Sequence, residues 1–237
     1  YISENAKHYL LKNYVNVVNK LNSKTIPLGV DSNFDITKRK FKNYTKEKSF
    51  KLLYVSTIKS YKHQWNLIDA VSILINNGYN VTLDLLGGGD KKFIKKVYRA
   101  IERLGKNKNK VHFHGKVYRK KVKQFYESSD LLVYPSSCEN CPSIILEAMS
   151  YGLPIASSNL RPMTDIMGDS ALYFDHNNIS SISQTIEQLI NDIELRKFFS
   201  ASLYRKSKDY SWELCADRTF SYISEIAKQY NTYTKQH

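Results

Sequence analysis

Two glutamates, Glu139 and Glu147, lie eight positions apart and flank a proline that can begin a helix. Proline is favoured at the first position of a helix, so Pro142 predicts a helix that starts there. The backbone N–H groups of Ser143 and Ile144 would then lack intrahelical acceptors and would lie at the positive end of the helix dipole. Such a turn binds a phosphate or a sugar oxygen, and we predict an anion-binding site at this helix start.

Glu147 follows Ser143 by four positions and shares its helix face, whereas Ile144, Ile145 and Ala148 are predicted to pack on the rest of the domain. A carboxylate does not assist phosphate binding, but it accepts hydrogen bonds from two neutral hydroxyl groups such as those of a ribose. The alternative role is structural, since an acidic residue near a helix N-terminus stabilises the helix by about 0.3 to 1 kcal/mol. The sequence leaves both roles open.

An α/β fold is predicted to position these residues. From residue 50 onward, short apolar runs alternate with amphipathic segments of helical length, which is typical of βαβ units around a parallel sheet. The predicted strands are 51–56, 80–86, 111–115, 131–134, 153–157 and 171–174, and the predicted helices between them are 64–76, 91–104, 120–128, 142–151 and 161–167. Together they form a doubly wound sheet, whose ligands bind at the carboxyl ends of the strands. The loops 57–63, 87–89 and 136–147 lie there.

Four regions are expected along the chain. The sequence starts at Tyr1 without a leader-like segment, so we expect residues 1–22, helical over 4–13, to be the end of a preceding N-terminal domain. Residues 23–50 are expected to form a linker with an incoming strand at 24–30. Residues 51–210 form the ligand-binding domain, with helices at 179–192 and 194–208. Residues 211–237, with Ser211 as N-cap, form a C-terminal helix and tail that are expected to pack on the N-terminal domain.

The chain is strongly basic, with 36 basic and 22 acidic side chains and a formal net charge of +14. Such a charge favours an anionic partner, which is a nucleic acid, a membrane surface or an acidic small substrate. No nucleic-acid-binding motif accompanies the lysines, so nucleic acid is not an expected partner. An anionic membrane surface is expected, with a lysine-rich genome as the competing explanation.

Metal and redox chemistry are not expected. Cys138 and Cys141 form a C-x-x-C, but neither a second pair nor a nearby histidine completes a zinc site. The sequence has no D-x-D triplet for a metal-bound diphosphate and no run of roughly 18 apolar residues that would span a bilayer. The three cysteines are odd in number, which favours a reducing compartment. We expect a metal-independent cytoplasmic protein without a cofactor, peripheral at the inner face of the membrane.

The triple glycine and two histidines give weaker signals. Residues 87–89 lack G-x-G-x-x-G spacing, so they predict a tight turn near the ligand and not a dinucleotide site. His63 and His114 fit ordinary loop and strand positions as well as ligand contacts.

The segment from Glu139 to Ser157, ENCPSIILEAMSYGLPIAS, resembles the E-x7-E signature and following strand of family 4 retaining GT-B glycosyltransferases. Other matching segments follow in the same order, namely PLGVD at 27–31, the strand and loop of 53–62, VHFHG at 111–115 and residues 130–136. The resemblance covers nearly the whole chain. It implies that the doubly wound sheet is the Rossmann-like, donor-binding C-terminal half of a GT-B fold.

The resemblance implies a role for each residue that matches a family motif. Glu147 would bind the ribose hydroxyls, Glu139 would lie against the donor sugar as the candidate catalytic residue, and Lys62 would neutralise the diphosphate. The other implied donor contacts are Thr57, the base-pocket residues Lys116 and Val117, and the backbone of Asn140, Cys141, Pro142 and Ser143.

Three places depart from the family's pattern, and one of them is Cys141-Pro142, where the family commonly has an aromatic residue followed by glycine. The family has Gly-Arg after its first strand, where this chain has Ser56 and Thr57. It has Lys-Gly at the phosphate lysine, where this chain has Lys62 and His63. Since one guanidinium is absent, Lys62, with Lys59 or a residue of the N-terminal domain, would carry more of the diphosphate charge.

The expected function is sugar transfer, with retention, from a nucleoside-diphosphate sugar, expected to be a UDP-sugar. The acceptor would be a saccharide or a lipid-linked glycan of surface polysaccharide or lipopolysaccharide biosynthesis, bound by the N-terminal domain. This chain alone is expected to be inactive. The alternatives are a nucleotide-sugar epimerase of the same fold and a non-catalytic basic module that binds membrane or polysaccharide.

Overall fold

The apolar runs of the sequence pair as parallel strands. In the computed structural model, which describes residues 1–14, 22–31 and 34–236, six strands form one sheet. They are β1 (Phe50–Val55), β2 (Val81–Leu86), β3 (Val111–Gly115), β4 (Leu131–Tyr134), β5 (Ile155–Ser158) and β6 (Leu172–Phe174). The order is β3-β2-β1-β4-β5-β6, with every neighbouring pair parallel. The predicted doubly wound, Rossmann-like α/β fold is confirmed.

Helices cover both faces of the sheet, as its continuously apolar central strands require. α1 (Glu4–Asn13) precedes the sheet, and the crossovers contain α2 (Gln64–Asn76), α3 (Lys91–Arg103), α4 (Arg119–Ser128), α5 (Ser143–Ser150) and α6 (Met163–Met167). α7 (Ile179–Asn191), α8 (Ile193–Ser207) and α9 (Trp212–Gln236) follow. Ser211 Oγ accepts a hydrogen bond of 3.1 Å from Leu214 N–H, which confirms the predicted N-cap of α9. Among the helices described, none has the length and apolarity that crossing a bilayer requires.

Prolines shift three predicted boundaries. α5 begins at Ser143 with Pro142 as its N-cap residue, so the prediction of Pro142 as the first helical residue was wrong by one position. α6 begins at Met163, just after Pro162. β5 begins at Ile155, because Pro154 has no N–H to donate to the sheet ladder.

The strand predicted at residues 24–30 is not present. Its backbone hydrogen bonds go to different segments: Lys24 O accepts from the N-terminal ammonium of Tyr1 at 2.8 Å, Ile26 N–H donates to Tyr1 O and Val30 N–H donates to Tyr210 O, the last two at 2.7 Å. Pro27 between them has no N–H, so no ladder can form along one partner. Residues 15–21 of the predicted N-terminal region lie outside the described residues.

Two arginines hold the linker against the sheet domain. Arg39 donates to the carbonyls of Tyr126, Ser129 and Tyr151 at 2.5 to 3.0 Å, and burial lowers its pKa to about 10. Arg196, only 2% exposed, donates to Lys42 O at 2.7 Å. The linker after Phe34 is therefore packed on the domain by guanidinium groups bonded to backbone carbonyls.

The turn between β1 and α2 ends at a histidine in the left-handed region. His63 has φ 51° and ψ 34°, and among the described residues it is the non-glycine residue with positive φ. This conformation costs a residue with a Cβ roughly 1 to 2 kcal/mol, which accounts for the glycine that the resembling family has here. The side chain is anchored, because Nε2 lies 2.8 Å from Ser137 Oγ and the ring centroid lies 4.7 Å from that of His176.

The anchored His63 predicts a pH-dependent stability. Burial, with the charges of His176 and Lys96, lowers the pKa of His63 to about 4, against about 6.5 in an unfolded chain. The unfolded chain therefore binds this proton more readily, so the neutral imidazole stabilises the fold above pH 6.5 and this contribution is lost as the pH falls toward 4. We expect the urea midpoint to fall more steeply from pH 6.5 to 4 than in His63→Asn, since asparagine tolerates the left-handed conformation.

The control is His112→Asn, which removes an exposed histidine of β3. It should keep the pH dependence of the unsubstituted protein. If the urea midpoint falls equally steeply with pH in the unsubstituted protein and in His63→Asn, the assignment of this pH dependence to His63 is contradicted.

Candidate functional site

The adjacency of β1 and β4 at the centre of the sheet brings their following loops together. The strand order reverses between these two strands, and a crevice opens at this point of a doubly wound sheet. Tyr61 O, in the loop after β1, accepts hydrogen bonds from Ser137 N–H at 2.8 Å and from Ser136 Oγ at 3.3 Å, both in the loop after β4. The two predicted ligand loops are thus one connected structure.

Lys62 and Glu139 meet inside this crevice as an ion pair. The Lys62 ammonium contacts the Glu139 carboxylate and donates to Tyr134 Oη at 3.1 Å, and Tyr134 O–H donates to the same carboxylate at 2.7 Å. The side chains of Lys62 and Glu139 are 8% and 12% exposed. A pair buried to this extent is costly to break, because either partner alone would be an uncompensated charge.

Two tyrosines fix the position of this pair. Burial raises the pKa of Tyr134 well above its ordinary value, and the charge of Glu139 adds to the effect, so the phenol stays protonated and donates. Tyr54, fully buried in β1, donates to Lys62 O at 2.9 Å and fixes the lysine backbone. The site therefore holds one cation and one anion in a fixed geometry at the carboxyl edge of the sheet.

A cavity of about 460 Å³ lies at the carboxyl ends of β1, β2 and β3. Three predicted donor contacts, Thr57, Lys116 and Val117, line it together with Val122 of α4 and Ile144 of α5. Ile144 packs against the core, as predicted, and because the first turn of α5 lies where the sheet ends, its side chain also borders the cavity. The cavity is of a size that small-molecule sites have.

The triple glycine forms one wall of this cavity by close approach to the loop after β1. Gly87 has φ 131°, and a Cβ there would lie 1.8 Å from Ser56 O, so only glycine fits. Gly88 O accepts from Ile58 N–H at 2.8 Å, which joins the two loops below the cavity.

Glu147 is outside the lining of this cavity and is paired with a buried tyrosine. Tyr126 O–H donates to Glu147 Oε2 at 3.0 Å, and burial raises the pKa of the Glu147 carboxyl, against the opposing effects of this bond and of Arg119. Glu147 is three residues after the cavity-lining Ile144, and Tyr126 is four after Val122, so both pairs share a helix face. Glu147 is in the second turn of α5, where the helix-dipole effect has fallen off, which disfavours stabilisation of the helix N-terminus as its role.

The remaining predicted donor contacts lie outside the lining of this cavity. Asn140 Oδ1 accepts from Ser3 Oγ at 2.8 Å, and Cys141 borders a separate cavity of about 270 Å³ with residues of the N-terminal segment. Pro142 is buried, whereas Ser143 is exposed at the start of α5. Lys59, considered as a helper of Lys62, instead pairs with Asp90 at 3.1 Å.

Sequence reasoning missed Tyr134 and Tyr126, which hold the two glutamates. The position of Tyr134 at the end of a strand just before the E-x7-E segment was a usable signal, while nothing in the sequence marks Tyr126. Nε2 of His114 lies 2.6 Å from Oδ1 of Asp84, and His114 is outside the lining of the cavity. Within the part of the chain that the structure describes, no group of three or more metal-binding side chains occurs, and Cys138 and Cys141 are free thiols.

Comparison with known proteins identifies the family. Residues 35–205 match the family described as Glycosyl transferases group 1. O-antigen chain mannosyltransferase B of Escherichia coli is 28% identical over 172 residues, which are 71% of this chain and 44% of that protein. The capsular polysaccharide biosynthesis glycosyltransferase CapM of Staphylococcus aureus is 26% identical in an alignment of 260 positions that covers 99% of this chain and 61% of that protein. The chain thus spans about half the length of these curated relatives.

Solved structures share the fold. A glycosyltransferase from Rickettsia africae superposes with a TM-score of 0.77 at 19% identity, over 96% of this chain and 62% of that chain. HepE of Anabaena, solved in complex with UDP and glucose, superposes with a TM-score of 0.71 at 19% identity, over 85% of this chain and 57% of that chain. This protein belongs to the group 1 glycosyltransferases and has the fold of the donor-binding, C-terminal half of a GT-B enzyme.

Proposed function

We propose that this chain is the donor-binding half of a retaining glycosyltransferase that takes its sugar from a nucleoside-diphosphate sugar, and that the donor is a UDP-sugar. The observation that carries the proposal is the cavity at the carboxyl ends of β1 to β3, which is lined by the predicted donor contacts Thr57, Lys116 and Val117. Membership of the group 1 glycosyltransferases favours transfer over epimerisation. The structure of HepE with UDP and glucose supports the choice of UDP.

The donor would bind in three parts. The base would enter the cavity beside Lys116 and Val117, the ribose hydroxyls would donate to Glu147, and the diphosphate would lie between Lys62 and the start of α5. The Lys62 ammonium has three N–H donors, of which two are used by Glu139 and Tyr134, so one is free for a phosphate oxygen. Glu139 would contact the donor sugar while bonded to both neighbours.

Catalysis would depend on stabilising the departing diphosphate. Negative charge grows on the phosphate as the glycosidic bond breaks, and the N–H groups at the start of α5, together with Lys62, are oriented before reaction to stabilise it. No metal ion is required in this scheme. The acceptor, a saccharide or lipid-linked glycan of surface polysaccharide assembly, would be held by an N-terminal domain that closes the cleft. Relatives named for O-antigen and capsule synthesis support this acceptor class.

The ribose contact is tested with Glu147→Gln. Loss of a charged acceptor for two hydroxyls should weaken UDP binding by about 1 to 3 kcal/mol, measured by titration calorimetry. The matched control is Tyr126→Phe, which removes the 3.0 Å hydrogen bond to Glu147 but keeps the carboxylate, and it should weaken binding less. Unchanged affinity in a folded Glu147→Gln variant would exclude the ribose role.

The diphosphate contact is tested with Lys62→Met. Removal of the charge should weaken UDP binding by roughly 1.5 to 3 kcal/mol and leave uridine binding nearly unchanged, since the contact is with phosphate. Equal losses for UDP and uridine would remove Lys62 from the phosphate site.

Lys62→Met also leaves the Glu139 carboxylate buried without its cation, at a cost of about 3 to 5 kcal/mol in the free energy of unfolding. Lys62→Met/Glu139→Gln should recover part of that loss in urea unfolding. The double variant also supplies a folded protein in which the comparison of UDP with uridine can be repeated.

The chain of 237 residues alone tests whether donor binding and sugar transfer require different domains. We expect it to bind UDP equally with and without EDTA, and to transfer no sugar until an N-terminal domain completes the cleft, because acceptor positioning supplies a large part of the rate. Sugar transfer by this chain alone would contradict the two-domain proposal. Loss of UDP binding in EDTA would contradict metal independence.

A further inference from the structure

The positive charge of the protein is concentrated in one segment. Residues 91–123 contain 14 of the 36 basic residues and one of the 22 acidic residues of the chain. The rest of the chain contains 22 basic and 21 acidic residues and is nearly neutral. A lysine-rich genome would raise the lysine content throughout, so composition bias alone does not account for this segment.

The fold places this segment along one edge of the molecule, which we call the basic edge (residues 91–123). It consists of α3, the edge strand β3 and the first half of α4, and β3 pairs with β2 alone among the described strands. Thirteen of the fourteen basic side chains are exposed, and the fourteenth, Lys110, is half-buried. The fold thus places these exposed side chains on α3, on the edge strand and on the start of α4, and α3 alone is about 20 Å long.

Acidic side chains neutralise little of this surface. Within the described residues, the salt bridges of the basic edge are Arg103 to Asp69 at 2.7 Å, Lys108 to Glu102 at 3.4 Å and Arg119 to Asp31 at 3.7 Å. The remaining basic side chains have no acidic partner within 4 Å.

Apart from Arg103 in the last turn of α3, the charges at the helix starts do not stabilise the helices that hold them. The first turn of α3 contains Lys91 and Lys92, the first turn of α4 begins at Arg119, and neither turn contains an acidic residue. A helix dipole disfavours cations at the N-terminus, and like charges four positions apart on α3 repel each other. An arrangement that opposes folding in two ways points to a partner of opposite charge.

The size and composition of the surface select among anionic partners. A nucleotide sugar carries its charge on one diphosphate and would be bound in the cavity, so an edge of this length fits an extended array of negative charges. Two tyrosines of the basic edge are exposed to solvent, Tyr98 at 53% and Tyr118 at 85% of the residue surface. Exposed tyrosines among lysines are typical of surfaces that rest at the headgroup level of a bilayer.

We propose that the basic edge docks this domain on an anionic lipid surface. Lys116 and Val117 belong both to the edge and to the lining of the donor cavity, so docking would bring the cavity beside the membrane. The choice of a lipid surface over other polyanions rests on the proposed function, since a lipid-linked acceptor would be found there. The observed charge distribution of the basic edge is independent of the proposed function.

The test is co-sedimentation of the chain with vesicles at low salt. The vesicles contain phosphatidylcholine alone or with 30% phosphatidylglycerol, and the variant is Lys91→Gln/Lys95→Gln/Arg99→Gln on the exposed face of α3. The control is Lys197→Gln/Arg205→Gln/Lys208→Gln, which removes the same charge from α8 and its C-cap residue, outside the basic edge. We expect at least tenfold stronger binding to the anionic vesicles, a loss of at least fivefold in the α3 variant, and a loss of less than twofold in the control.

Equal losses in the two variants would show a general charge effect and overturn the proposal, as would equal binding to both kinds of vesicle. Binding of a double-stranded DNA fragment in preference to the anionic vesicles would also overturn it, in favour of a nucleic-acid partner. UDP calorimetry on the same samples separates the two proposals, because failure of the donor assignment would abolish UDP binding and leave vesicle binding intact.

Discussion

The placement of β1 beside β4 is the constraint on which the site depends. These strands are distant in sequence, but their parallel pairing directs both following loops to the same edge of the sheet. There the buried ammonium of Lys62 meets the carboxylate of Glu139, and each charge is tolerated only because the other is present. The loops are thereby fixed relative to each other before any ligand arrives, which is the preorganisation that electrostatic catalysis requires.

Much of the fold follows from the sequence, because each strand buries a short apolar run and each helix shows an amphipathic repeat. β3 and β4 have the predicted bounds, and the other strands differ by one or two residues. The E-x7-E segment places Glu139 in a loop and Glu147 on the helix that follows, as its spacing predicted, while the roles of both glutamates stay predictions. Lys116, Val117 and Thr57 were likewise predicted to adjoin the ligand, and they share one cavity.

The features that the sequence did not predict depend on contacts between segments that are distant in the chain. The periodicity of apolar residues carries no information about such contacts. Tyr126 reaches Glu147 because α4 and α5 are neighbours in space, and Asn140 turns toward Ser3 because the N-terminal segment packs there. The extended stretch at 24–30 has strand-like residues, but its hydrogen-bonding partners come from two different segments. The concentration of basic residues over 91–123 is visible in the sequence. Only the fold shows that they lie along one edge of the molecule, because α3 and α4 flank the edge strand β3.

The guanidinium groups of Arg39 and Arg196 have a consequence for the evolution of the linker. Their acceptors are backbone carbonyls, which every amino acid supplies, so the contacts specify the path of the chain and not the side chains along it. The exposed Lys42 can therefore be exchanged while the chain keeps its course, whereas Arg39 and Tyr44 of the same linker cannot, because Arg39 makes these contacts and Tyr44 Oη accepts from Asn80 N–H at 2.7 Å. Homologues would be expected to diverge in sequence here long before they diverge in shape.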